Sequence, residues 1–120
     1  MYQQNEFRNP ILAYIGQQVF VQIDRPLGSI HPQHGFRYPV NYGFVPGVPA
    51  ADGEEQDAYI LEVCVPLDEF EGECIAVIHR KDDREDKLVV VPSGVKLNNY
   101  QIWSAVYFQE QFFHGEILRG

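Results

Sequence analysis

Basic residues are scarce in this chain: nine Lys and Arg stand against seventeen Asp and Glu, a formal net charge of −8. A protein that grips nucleic acid or an anionic membrane needs a basic face, so neither is an expected partner. No apolar run approaches the roughly 20 residues that cross a bilayer. Met1 to Pro10 lacks the apolar stretch of a signal peptide, so the expected location is the cytoplasm. Cysteine is nearly absent too. Cys64 and Cys74 read as buried, reduced, small hydrophobes in that compartment, and two cysteines alone make no zinc site. No Gly-x-x-x-x-Gly-Lys-[Ser/Thr] occurs, and Ser29, Ser93 and Ser104 lack a nucleophile-elbow context. Phosphate-cradling P-loop chemistry and serine nucleophiles are excluded on those grounds.

What is present is a soluble-type composition, 45% hydrophobic with mean hydropathy −0.26, over 120 residues. That length is one ordinary domain, 1–120, with residues 1–10 read as mobile. Ile11 to Gln18 is a short helix or turn. Val19 to Ile23 alternates β-branched and aromatic residues and reads as a strand. Prolines and glycines from Pro26 to Gly53 exclude a long helix and leave room for a short strand near Val40 to Val45. Asp52-Gly53 is a hairpin signal. Asp57 to Val65, Glu73 to Arg80 and Lys87 to Val91 read as further strands. Such short strands with turn-rich links predict a mainly β fold, a small closed barrel. Asn98 or Asn99 caps a helix expected to run to about Leu118, its apolar stripe set by Ile102, Ala105, Val106, Phe108, Phe112 and Phe113.

Chemistry concentrates in two acidic stretches, each before an apolar run. Asp52-Gly53-Glu54-Glu55-Gln56-Asp57 gathers four carboxylates into six residues. Asp82-Asp83-Arg84-Glu85-Asp86-Lys87 follows thirty residues later. Like charges held together raise one another's pKa values, a cost that a bound divalent cation removes. The bland alternative is a pair of solvated loops. The four histidines do not suggest a metal cluster. Only His31 and His34 are close; they read as polar loop residues, or with Arg37 as positive charge for a phosphate pocket.

Tyr38-Pro39-Val40-Asn41-Tyr42-Gly43, the Asp52–Asp57 stretch and Asp86-Lys87-Leu88-Val89-Val90-Val91-Pro92 resemble, in that order, the soluble family I inorganic pyrophosphatases. The resemblance runs from about Val21 to Pro92 and is greatest with a short branch of about this length. It implies an OB-like five-stranded closed barrel with a C-terminal helix and magnesium-dependent hydrolysis of inorganic diphosphate. Manganese and other divalent ions are alternatives to magnesium, and a homo-oligomer is implied by the habit of the longer enzymes. Asp52, Asp57 and Asp86 are then metal ligands, joined by Asp82 or Asp83. Glu54 stands where the family usually has the aspartate that activates water, one methylene longer. Tyr42 faces the site or packs in the barrel mouth, and Arg25 and Lys87 contact phosphate. The longer enzymes carry a Tyr-Lys pair on the C-terminal helix, where this register gives Phe112 and Phe113. Two competing functions follow. One is a catalytically weak relative that binds phosphate or a phosphorylated ligand; the other is an OB-like oligonucleotide binder, which the charge of −8 disfavours.

Overall fold

The computed structural model describes residues 9–120. The expectation for residues 1–10 therefore falls almost wholly outside them. Pro10–Tyr14 forms a 3₁₀ turn capped by the Asn9 side chain, as the Ile11–Gln18 reading allowed. The strands are β1 (Gln18–Arg25), β2 (Asn41–Pro49), β3 (Glu55–Ile60), β4 (Glu69–Arg80), β5 (Asp86–Val91) and β6 (Gly115–Leu118). The helix is α1 (Asn99–Glu110). Sheet order is β1-β2-β3-β5-β4-β6, and β1 also pairs with β4. That extra pairing closes a five-stranded barrel, with β6 added on the outer edge of β4. The β3–β5 pair is parallel and the other pairs are antiparallel.

The second parts of β3 (residues 58–60) and β5 (residues 88–91) are continuous apolar runs because both of their faces are buried. Ala58, Ile60, Leu88 and Val90 point into the barrel with Val21, Ile23 and Val77. Their neighbours Tyr59, Leu61, Val89 and Val91 point out, under Ile102 and Val106 of α1. Alternation along β3 and β5 thus sorts these residues to the barrel or to the helix side. Gly43 is required where β2 crosses β1, since a Cβ there would overlap the Gln22 carbonyl. Fully buried Asn41 ties two loops together: its Oδ1 accepts from Leu27 N and Leu67 N, and its Nδ2 donates to Val65 O.

Several element boundaries differ from the sequence reading. β2 runs on through Pro46 to Pro49, because its ladder with β3 is irregular between Val45 and Pro49, where proline costs no hydrogen bond. β3 stops at Ile60, ahead of Glu62, whose φ of 67° turns the chain. β4 begins at Glu69 by pairing with β1. The helix ends at Glu110, not near Leu118. Its last expected turns instead form β6, whose backbone groups bond to β4 from Val77 to Arg80. Cys74 is buried, whereas Cys64 is exposed and free, contrary to its reading as a core residue.

Candidate functional site

The helix side of β3 and β5 ends in polar residues. Asp57 lies opposite Lys87 in the parallel register, two residues before Tyr59 and Val89, so both side chains face the helix side at the barrel mouth. Lys87 is buried, and its Nζ donates to Asp57 Oδ2 at 2.6 Å and to Glu85 Oε1 at 2.8 Å. β1 ends at Asp24 and Arg25, and β4 ends at Arg80. These residues, with Tyr38 and Tyr42, line a cavity of about 740 Å³. Gln109 closes it from α1, and His31, Gln33, His34, Phe36, Phe112 and Phe113 form the rest of its wall.

Arg80 is the most firmly held cation. Its Nε donates to Glu110 Oε1 at 3.0 Å and its Nη2 to Glu110 Oε2 at 2.8 Å. Its guanidinium carbon sits 3.7 Å from the Phe113 ring centroid. Burial works against the Arg80 charge, but Glu110 outweighs it and holds the pKa above its ordinary value. Fully buried Glu110 also accepts from Tyr59 Oη at 2.6 Å. Gln109 Nε2 donates to Tyr59 Oη, Tyr38 Oη donates to Gln109 Oε1, and Arg25 Nη1 donates to Tyr38 Oη. One hydrogen-bonded chain therefore runs from Arg25 through the helix end to Arg80. Burial, then the adjacent Asp57 carboxylate, raise the Tyr42 phenol well above its ordinary pKa. Asp24 is raised by partial burial, which Arg25 opposes and Asp57 reinforces.

The residues expected from the sequence divide. Arg25, Tyr42, Asp57 and Lys87 meet in the cavity. Asp86 does not join them: one residue before Lys87 in a strand, it faces the opposite way. There it accepts from Asn9 Nδ2 at 2.7 Å and pairs with His79 Nδ1 at 2.7 Å. The acidic neighbour that shares the Lys87 side is Glu85. Asp52 accepts from Glu54 N on the exposed hairpin turn, and neither Asp52 nor Glu54 lines the cavity. Asp82 accepts from His114 N, and Asp83 pairs with Arg80 at 3.4 Å. Among the described residues no three His, Cys, Asp or Glu side chains are grouped to hold a metal ion. Sequence reasoning missed Arg80, Gln109, Glu110 and the role of Tyr38. Glu110 had a signal, for it continues the buried i, i+4 stripe of Ile102 and Val106.

The barrel mouth thus gathers three cations and two carboxylates around one cavity. No family model matches the chain. Curated proteins do. The inorganic pyrophosphatase of Methanosarcina acetivorans is 33% identical over 91 residues, 72% of this chain and 51% of that protein. The inorganic pyrophosphatase of Gluconobacter oxydans is 31% identical over 85 residues, 64% of this chain and 49% of that one. Among solved structures, inorganic pyrophosphatase from Ehrlichia chaffeensis has a TM-score of 0.66 at 17% identity, covering 85% of each chain. That from Neisseria gonorrhoeae has 0.56 at 25% identity, covering 80% of this chain and 72% of the other. Sequence and fold agree: the chain belongs with the inorganic pyrophosphatases. It spans about half the length of the curated relatives it matches.

Proposed function

We propose that the chain hydrolyses inorganic diphosphate to two phosphates, with magnesium or a similar divalent cation. The observation that carries this reading is the convergence of Arg25, Arg80 and Lys87 with Asp57 in one cavity of a pyrophosphatase relative. Arg25 keeps guanidinium donors for phosphate oxygens beside its one contact to Tyr38, and Arg80 and Lys87 add fixed positive charge. Glu110 fixes Arg80 before any substrate arrives, so little rotamer freedom is lost on binding. Lys87 exchanges one of its two carboxylate partners for a phosphate oxygen.

The donor set fits magnesium, which is commonly held by one or two carboxylates together with substrate phosphates. Asp57 and Asp24 supply them, and the influence of Asp57 on Asp24 is the like-charge cost that a cation relieves. When bound, the cation offsets phosphate charge and makes water acidic enough to attack at neutral pH. Asp57 would orient the attacking water and take its proton. The water oxygen bonds to one phosphorus as the bond from that phosphorus to the bridging oxygen breaks, and the leaving phosphate carries away the electron pair. In this reading Asp52, Asp82, Asp83 and Asp86 stay outside the reacting centre. Tyr42 packs against Asp57 and helps to aim it. A cytoplasmic location belongs to the same proposal; no described helix is long and apolar enough to cross a membrane.

A second reading, binding of a phosphorylated ligand without turnover, is favoured by one observation: Glu54, in the position of the family's water-activating residue, lies on the exposed turn. Phosphate release from diphosphate, with and without magnesium, separates the two. Magnesium-dependent release supports the hydrolase. Binding without release supports the second reading. If Glu54→Gln costs roughly 10²-fold in turnover, the usual scale for a positioned base, Glu54 and not Asp57 takes the proton.

A further inference from the structure

The cavity has two chemically distinct ends. The floor, at Arg25, Arg80 and Lys87, is charged. The rim, built by the 31–36 loop and the segment after α1, is aromatic. His31 and His34 have ring centroids 4.6 Å apart. His34 and Phe36 stack at 6.1 Å with planes 10° apart, and His34 and Phe112 at 6.4 Å with planes 23° apart. Phe112 is 65% exposed and His34 is also exposed, so both stand at the solvent side of the cavity.

His31 acts here as a flat ring rather than a cation. Its Nδ1 accepts from Gln33 N at 3.1 Å and His34 N at 3.2 Å, which requires the unprotonated nitrogen. Loss of hydration, then His34 and Arg25, lower its pKa below the ordinary value, in agreement with that geometry. Inorganic diphosphate, two linked phosphate tetrahedra, makes no use of such a rim. A cavity of about 740 Å³ falls within the roughly 300–1,000 Å³ range of sites that take larger organic ligands.

We propose that this site accepts a phosphate anhydride or ester bearing an aromatic ring, such as a nucleoside diphosphate, with its phosphates on Arg25, Arg80 and Lys87 and its base stacked at His34 and Phe112. The inference rests on the reading of the floor as a phosphate site and deepens it to a substrate class. Stacking of a base on an aromatic side chain contributes enough that its removal weakens binding roughly tenfold or more.

The test is calorimetric titration of the chain, without magnesium so that no heat of hydrolysis enters, by ADP, by ribose 5-phosphate and by inorganic diphosphate. The same titrations are made on Phe112→Ala and His34→Ala, whose exposed side chains put little of the fold at risk. ADP is expected to bind at least about tenfold tighter than ribose 5-phosphate, and each variant to lower the ratio of ADP to diphosphate affinity roughly tenfold. Diphosphate binding with no preference for ADP over ribose 5-phosphate, or variants that leave the ratio unmoved, would overturn the inference and leave the phosphate site standing. Binding of none of the three would overturn both.

Discussion

The charge of Arg80 is held most closely by Glu110, which is fully buried; Asp83 adds a longer pair at 3.4 Å from the loop side. Taking one partner from a buried ion pair strands the other charge, at a cost of about 3–5 kcal/mol. Glu110→Gln keeps the size and removes the charge. Urea unfolding should show a loss on that scale, and Glu110→Gln with Arg80→Met should recover a large part of it. The two thiols give a second test. Burial pushes the Cys74 thiol from its ordinary 9.0 up to about 11, while Cys64 is exposed. Native protein should therefore react with a thiol reagent at Cys64 alone, and denatured protein at both. Because the folded state keeps the Cys74 proton where the unfolded state has lost it, this contribution is full below pH 9 and fades as pH rises toward 11. At this scale the sequence was half legible. Asp57, Lys87 and Arg25 were readable from their motifs. Asp86 lies away from the cavity because of the two-residue alternation of its strand, which its identity alone does not reveal.

At the scale of elements, the strands were legible where alternation or an unbroken apolar run betrays burial, as in β1 and β5. The ends were less so. Pro46 and Pro49 argue against a strand until the irregular ladder beside them is known, and Glu62 gives no hint of its left-handed backbone. The tail misled because Phe112 and Phe113 continue a helical spacing, while the open edge of β4 drew residues 115–118 into a strand. The start of α1 was clear. Asn98 Oδ1 accepts from Gln101 N, and Gln101 Oε1 accepts from Asn98 N, a reciprocal cap. Asn98→Ala should cost about 1 kcal/mol in chemical unfolding. Since α1 carries Gln109 to the cavity wall and Glu110 onto Arg80, fraying at its far end should disturb Arg80 less than Glu110→Gln does. The comparison is the affinity of each variant for inorganic diphosphate.

At the scale of the whole molecule, a chain of net charge −8 is asked to bind an anion. In the proposed function it does so by concentrating Arg25, Arg80 and Lys87 at one barrel mouth, with most of the other carboxylates exposed outside it. Asp24 and Asp57 are the acidic residues retained in the cavity wall, where a divalent cation arriving with the phosphates offsets their charge. Magnesium together with diphosphate should then raise the melting temperature more than either alone, because the pair binds only the folded site. The most direct measurement is steady-state phosphate release from inorganic diphosphate by the parent chain and by Asp57→Asn, across a magnesium titration. Asparagine preserves the shape of Asp57 and removes its charge. The account predicts turnover that requires magnesium and falls roughly 10²-fold or more in the variant. Release that ignores magnesium, or an Asp57→Asn chain as fast as the parent, would contradict it.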